Sequence, residues 1–199
     1  MKGIFSAATL VAVFAAFSSA APTLNERSPN GPVIATIGAE FIRVTSESQP
    51  SIDLSSVYGT QQGVISRNNG QDEHASYVSF NIPDISLIPG ASAQSTCHLV
   101  IKNPAYATGS QNTQLFSLGG GLFTATSPLT FWSHPYHNQY LGVYTVNIGG
   151  DSTPIDVASI PCQFGTEAQY VLRPQNDNDY INWNQNNAAL VGAFIEVRN

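Results

Sequence analysis

The stretch Ser76-Tyr77-Val78-Ser79-Phe80-Asn81-Ile82 indicates the fold class most directly. Val78, Phe80 and Ile82 recur at every second position, so they fall on one face of an extended chain. An α-helix would instead distribute these side chains around its axis. The stretch therefore predicts a β-strand with one face turned towards the core.

The same period of two recurs along the chain. In a second clear strand, Cys97, Leu99 and Ile101 share a face. Other strand candidates span residues 33–44, 143–148, 168–173, 180–184 and 190–197, and Gly, Pro and Asn clusters between them signal turns. Capped segments with a 3.6-residue period are absent after the first 20 residues. We therefore expect an all-β fold, a single antiparallel β-sandwich or jelly-roll-like domain over residues 33–199.

The first 20 residues predict a cleaved signal peptide. Lys2 provides a positive start, residues 4–17 are almost wholly apolar, and Ser18 and Ala20 are small residues of the kind signal peptidase accepts. A membrane anchor is the alternative, but a span needs about 20 apolar residues. We expect cleavage after Ala20, then a flexible lead over residues 21–32, and release of a secreted protein.

Composition excludes some classes of partner. Charged residues make up only 10% of the chain, Lys and Arg together number 7, and the net charge is −6. Nucleic-acid binding needs clustered Lys and Arg, so we expect no nucleic-acid partner. The same shortage disfavours docking on anionic lipid. No second apolar segment is long enough to span a membrane.

The chain has two cysteines, Cys97 and Cys162. Because the predicted secretory route is oxidising, a single intramolecular disulfide is the simplest expectation. A metal-binding pair or a reactive thiol are the alternatives. Two distant thiols without clear His partners give little support to a metal site.

Several short motifs in a fixed order resemble one family. They read Tyr77-Val78-Ser79-Phe80-Asn81-Ile82-Pro83, Thr96-Cys97-His98-Leu99-Val100-Ile101, Ile160-Pro161-Cys162-Gln163-Phe164-Gly165 and Gly192-Ala193-Phe194-Ile195-Glu196-Val197. Together they are similar to the But-two C-terminal domain family of fungi (ubiquitin-three-binding protein), over about residues 33–199. The resemblance implies a secreted or cell-wall-associated fungal β-sandwich of mostly unknown biochemistry. The family's description refers to a partner in ubiquitin-like conjugation, which a secreted chain would not meet.

Catalytic and metal motifs are weak. His134 and His137 have His-x-x-His spacing, but no third ligand is apparent nearby. Residues 177–179, Asp-Asn-Asp, could offer oxygens to calcium, but a strand follows where a calcium loop would continue, so a hairpin loop is the better interpretation. No Gly-x-Ser-x-Gly motif is present. The acidic residues that could serve in a glycosidase are indistinguishable from loop charges: Asp53, Asp72, Glu73 and Asp156. The sequence thus favours a non-catalytic protein without a metal or cofactor and names no catalytic residue.

The segment from Phe131 to Tyr140 has the composition of a neutral glycan site. Aromatic faces stack on sugar rings, and side-chain amides hydrogen-bond to hydroxyls. We therefore name Trp132, Tyr136 and Tyr140 as candidate ligand-binding residues. In the alternative, Trp132 and Tyr140 are core residues that bracket a long loop. Trp183 follows the strand pattern and is expected in the core.

These observations favour a secreted, non-catalytic protein of the extracellular space or cell wall that binds wall polysaccharide. One alternative is a wall-modifying hydrolase, which would need two carboxylates facing each other about 5–10 Å apart. The other is a secreted protein-binding module or effector, which would show a contiguous apolar patch.

Overall fold

The computed structural model describes residues 31–109, 111–119, 123–157 and 160–199. The predicted signal peptide and residues 21–30 of the predicted lead lie outside these residues. The described chain is almost entirely β, with a four-residue helix α1 (Ser55–Tyr58) and a 3-10 turn (Ile85–Leu87). No helix among these residues is long and apolar enough to cross a bilayer.

The strands form two antiparallel sheets. They are β1 (Val33–Gly38), β2 (Phe41–Ser46), β3 (Gln62–Asn68), β4 (Gln71–Ile82), β5 (Thr96–Lys102), β6 (Tyr106–Thr108), β7 (Asn112–Gly119), β8 (Tyr136–Thr145), β9 (Thr153–Val157), β10 (Ile160–Pro161), β11 (Thr166–Pro174), β12 (Tyr180–Asn184) and β13 (Gly192–Arg198). The small sheet has the order β1-β13-β5-β10. The large sheet has the order β6-β12-β3-β4-β11-β7-β8-β9, with β2 also paired to β4, and it curls into a half-barrel. The predicted all-β antiparallel fold is confirmed.

The main core lies between the two sheets. Val78, Phe80 and Ile82 of β4 pack in one cluster with the Cys97, Leu99 and Ile101 face of β5 and with residues of β11, β12 and β13. Trp183 belongs to the same cluster and is 1% exposed, as its strand pattern predicts. The alternation in the sequence therefore identifies the inner face of both sheets correctly.

Several strands differ from their predicted bounds, and two of these differences matter for the arrangement of the sheets and of the aromatic segment. Residues 33–44 form two strands, because the chain leaves the small sheet after Gly38 and enters the large sheet at Phe41. A Cβ at position 38 would lie 2.1 Å from Asn187 Oδ1, so the missing side chain makes room for that amide at the crossover. The predicted strand at 143–148 begins earlier, at Tyr136, so half of the aromatic segment is strand β8 rather than loop.

The outer face of the large sheet is also covered. Phe41, Tyr77 and Val171 pack there against Phe123 and Leu129, which belong to a loop of residues 123–135. This loop, here called the covering loop, contains no strand of its own. The large sheet is therefore buried on both faces near its centre.

Polar side chains of the sheet hold the covering loop. Arg43, which is 1% exposed, donates through Nη1 to the carbonyl oxygens of Thr124, Ala125 and Ser127 at 3.3, 2.7 and 2.9 Å. Its Nη2 forms an ion pair with Asp53. Burial alone would raise the pKa of Asp53, but the hydrogen bonds from Arg43, Ser55 and Leu129 outweigh it and lower the pKa to about 2. The backbone groups of the loop thus gain the hydrogen-bond partners that a neighbouring strand would otherwise supply.

The predicted disulfide between Cys97 and Cys162 is confirmed, with the two Cα atoms 5.0 Å apart. Cys97 lies in β5, and Cys162 follows β10, the short strand that pairs with β5. The next strand, β11, is in the large sheet. The bridge therefore fixes the point where the chain passes from one sheet to the other.

Removing the bridge tests its contribution. The double variant Cys97→Ala with Cys162→Ala should lower the free energy of unfolding by about 4 kcal/mol, because the bridge closes a separation of 65 residues in the unfolded chain. Urea unfolding measures the loss, and wild-type protein kept reduced is the matched control. A loss below about 1 kcal/mol in both samples would contradict a stabilising role.

Gly63 tests the packing around Trp183. The two residues face each other across β3 and β12, and a Cβ at position 63 would lie 2.1 Å from the indole ring. Gly63→Ala should therefore cost at least about 2 kcal/mol in thermal or urea unfolding, since a buried ring with no free space must move. Gly150→Ala, where the nearest atom is 3.9 Å away, is the control and should change stability by less than about 0.5 kcal/mol. Equal effects of the two substitutions would show that Gly63 has no special role.

Candidate functional site

All three aromatic residues predicted to bind a ligand lie at the surface. The exposed fractions are 78% for Trp132, 60% for Tyr136 and 49% for Tyr140. Trp132 belongs to the covering loop, and its backbone N–H donates to the Pro50 carbonyl at 3.1 Å. Tyr136 and Tyr140 lie on β8. The alternative that Trp132 and Tyr140 are core residues is wrong, and their exposure is what stacking on a ligand requires.

The pairing of β7 with β8 presents the two tyrosines. This ladder has two irregularities, between Leu115 and Phe116 and between Ser117 and Leu118, which interrupt the regular alternation of β8 side chains. Tyr136 pairs with Gly119, where a Cβ would lie 2.5 Å from the tyrosine ring. The ring can therefore lie directly over the β7 backbone because position 119 has no side chain.

A stack of packed rings supports the aromatic segment from beneath. His134 and His137 stack with ring centroids 5.3 Å apart, and His137 stacks on Phe116 at 5.2 Å. Phe116 in turn contacts Tyr140 edge-on at 5.4 Å, and Tyr77 of β4 lies 5.6 Å from His134. Tyr140 thus rests on a packed base, and the two histidines of the segment are part of that base.

A pocket of about 270 Å³, here called the histidine pocket, lies under this segment. Its lining includes His134, His137, Glu73 and Arg173. Glu73 is 4% exposed and forms ion pairs with Arg67 and Arg173. Burial favours the neutral form of Glu73, but the two guanidinium groups outweigh burial and lower its pKa below the usual range. Glu73 is therefore a structural anion that joins β3, β4 and β11.

His137 is poorly suited to bind a metal. Arg173 Nη1 lies 3.4 Å from His137 Nδ1, and arginine can only donate, so Nδ1 accepts. A metal-bound histidine normally donates from its other ring nitrogen to an acceptor, whereas the group here is a cation. Within the described residues, no three His, Cys, Asp or Glu side chains are grouped as metal ligands.

A second cavity, of about 320 Å³, lies at the end of β7 and the start of β11. The pairing of β7 with β11 ends at Ser117 and Tyr170. Beyond this point β7 continues to Gly119 and is paired only with β8. We call this cavity the amide cleft because of its polar lining, which is Ser117, Asn138, Gln139, Gln163, Glu167 and Gln169. Asn138 and Gln139 belong to the predicted aromatic segment, but the other four were not identified from the sequence. They lie far apart along the chain, and only strand register brings them together.

Glu73 and Glu196 are not suited to act as a general acid. Glu196 forms ion pairs with Lys102 and Arg198, which lower its pKa despite burial, as Arg67 and Arg173 do for Glu73. A general acid needs a raised pKa, so neither carboxylate fits that role. Glu196 was not a candidate from the sequence. Of the three candidates besides Glu73, Asp53 binds Arg43, Asp72 accepts from Ser46 at 3.2 Å, and the side chain of Asp156 lies outside the described residues.

The Asp-Asn-Asp segment forms a turn rather than an open ligand loop. The side chain of Asp179 accepts backbone N–H groups from Gln111 and Asn176, both at 3.2 Å. Asp179 is 1% exposed. Its oxygens therefore stabilise the entry to β12, in agreement with the hairpin interpretation.

Together, the fold and site define a disulfide-bonded antiparallel β domain with an exposed aromatic segment beside a polar cleft. The family model described as "Ubiquitin 3 binding protein But2 C-terminal domain" matches residues 40–188, which include β2 to β12. The chain therefore belongs to this family, as its motifs predict. A search of curated proteins finds no significant match.

The ionisation of His137 is directly measurable. Burial, Arg173 and His134 lower its pKa from 6.5 to about 4. Since the fold favours the neutral ring, the stability that depends on this group should be lost as the pH falls from about 6.5 to about 4. NMR titration of the imidazole protons, assigned with His137→Gln, should show a midpoint near pH 4. A His137 midpoint near 6.5 would contradict this environment.

Proposed function

We propose that this chain is a secreted, non-catalytic fungal protein of the extracellular space or cell wall that binds wall polysaccharide through its aromatic segment. One observation carries the proposal. Trp132, Tyr136 and Tyr140 are about half or more exposed, on a segment whose two histidines belong to a stack of packed rings. Single exposed apolar side chains are normal, but three exposed rings within nine positions are an unusual concentration of aromatic side chains.

The charge of the protein favours a neutral ligand. All the Lys and Arg residues in the described part of the chain, Arg43, Arg67, Lys102, Arg173 and Arg198, form internal ion pairs. They are therefore engaged within the fold rather than available to an anionic partner. Neutral polysaccharide is recognised instead by ring stacking and by amides and hydroxyls, which this surface supplies.

The disulfide supports the proposed location. Disulfides persist in oxidising compartments and are rare in the cytosol. The family's description names binding to ubiquitin 3, but we do not extend that partner to this chain, because its bridge and its predicted signal peptide both favour secretion. The aromatic surface then faces the medium in which wall polysaccharide is found.

Retention on insoluble polysaccharide tests the proposal. The secreted protein is incubated with chitin, β-1,3-glucan, cellulose and mannan, and depletion from solution and sugar release are both measured. We expect depletion by at least one polysaccharide without sugar release. Tyr136→Ala and Trp132→Ala should each weaken binding roughly tenfold, which corresponds to about 1.4 kcal/mol of lost stacking.

Tyr106→Ala is the matched control. Tyr106 is 51% exposed but lies on β6, at the opposite edge of the large sheet from β8 and β9. Its removal should leave retention unchanged, and none of the three variants should shift the melting temperature by more than a few degrees. Failure of wild-type protein to bind any of the polysaccharides, or equal retention by all variants, would overturn the proposal.

A further inference from the structure

We infer that the amide cleft is the subsite that holds one sugar ring of the ligand, and that Glu167, Ser117 and Gln139 bind its hydroxyls. The inference rests on the proposed function and gives it a defined site. The ligand class is a neutral glycan, as opposed to one carrying carboxylate or sulfate groups.

The cleft adjoins the exposed Tyr136. Gly119 lines the cleft, and the ring of Tyr136 lies over this same glycine. Gln139 also lines the cleft and directly precedes Tyr140 on β8. A glycan lying on the Tyr136 ring would therefore pass the mouth of the cleft.

Ser117 supplies a buried hydroxyl that lacks a partner. Its Oγ is inaccessible to solvent and has no hydrogen bond to the described residues. A buried polar group without a partner costs about 1–3 kcal/mol, so a ligand hydroxyl that bonds to it would recover this cost. Because Ser117 lines the cleft, rotation of its side chain about χ1 would turn this hydroxyl towards a molecule inside the cleft.

Glu167 supplies an acceptor that is already oriented. Its Oε1 accepts hydrogen bonds from Ser79 and from Gln169 Nε2, the latter at 2.7 Å. Gln169 is itself fixed, since it accepts from Phe123 N–H at 2.9 Å and donates to the Phe123 carbonyl at 2.6 Å. No described residue donates to Oε2 of Glu167, which leaves that oxygen for ligand hydroxyls. The carboxylate needs no reordering to bind them.

The mixture of groups selects the ligand class. A carboxylate accepts hydrogen bonds, while amide and serine side chains both donate and accept, so the matching ligand carries hydroxyl groups. Glu167 would repel a carboxylate or sulfate, and no Lys or Arg is present among the described residues that line the cleft. A volume of about 320 Å³ is at the small end of ligand pockets, which suits one ring rather than several.

Calorimetric titration with soluble oligosaccharides tests the subsite. The probes are hexamers of β-1,3-linked glucose, of N-acetylglucosamine and of mannose, with a hexamer of galacturonic acid as the anionic probe. Wild-type protein should bind at least one neutral hexamer and not the anionic one. Glu167→Gln and Gln139→Ala should each weaken that binding at least tenfold. Glu40→Gln, at an exposed glutamate outside the cleft, should leave it unchanged.

The outcomes separate the two proposals. Wild-type binding that is lost in Tyr136→Ala but unchanged in Glu167→Gln and Gln139→Ala would overturn the cleft while leaving the proposed function intact. Absence of wild-type binding to every hexamer and polysaccharide would overturn both. Preference for the galacturonic acid hexamer would overturn the neutral class. Because Gln139 is exposed, Gln139→Ala remains informative even if Glu167→Gln lowers stability through Gln169.

Discussion

Burial of strand β4 on both faces is the constraint on which much of the structure depends. One face packs against the small sheet, and the other lies beneath a loop that contributes no strand. Such a loop brings unpaired backbone groups onto a buried surface, which is unfavourable unless side chains satisfy them. Arg43, Asp53 and Gln169 provide these partners. The polar residues of the outer face therefore hold the loop in place rather than face water.

The aromatic segment owes its position to this arrangement. The covering loop leads directly into β8, so fixing the loop also fixes the start of the strand that carries Tyr136 and Tyr140. Glu73 and its two arginines then connect the neighbouring strands beneath His137, at the base of the ring stack. An exposed ring on a rigid support loses less conformational entropy when a ligand binds than a ring on a mobile support does. The buried ion pairs thus help to hold the aromatic segment in place, although they are not themselves part of the exposed surface.

Alternation in the sequence identifies the core-facing side of each strand more reliably than it predicts the environment of the opposite side. Alternation correctly placed Val78, Phe80 and Trp183 in the core, and the cysteine count correctly predicted the bridge. The same alternation assigns Ser79 and Gln169 to the side away from the core, and Glu73 is indistinguishable from a loop charge in the sequence, although all three are buried. A polar residue in a strand has the same pattern whether water or a covering loop lies above it. The aromatic segment could be recognised in the sequence because its residues are consecutive. The cleft depends instead on the register between β4, β7, β8 and β11, and the periodicity of a single strand does not encode that register.

The few cations of this chain also limit what its surface can recognise. Internal ion pairs engage each Lys and Arg of the described residues, and several of these pairs hold the covering loop and the strands beneath it. The fold uses positive charge for its own stability, and the exterior is left with carboxylates, amides, hydroxyls and rings. Anionic partners gain little from such a surface, because long-range attraction requires clustered cations. Under the proposed function, recognition relies on short-range stacking and hydrogen bonding, and the aromatic segment and the amide cleft supply these two kinds of contact.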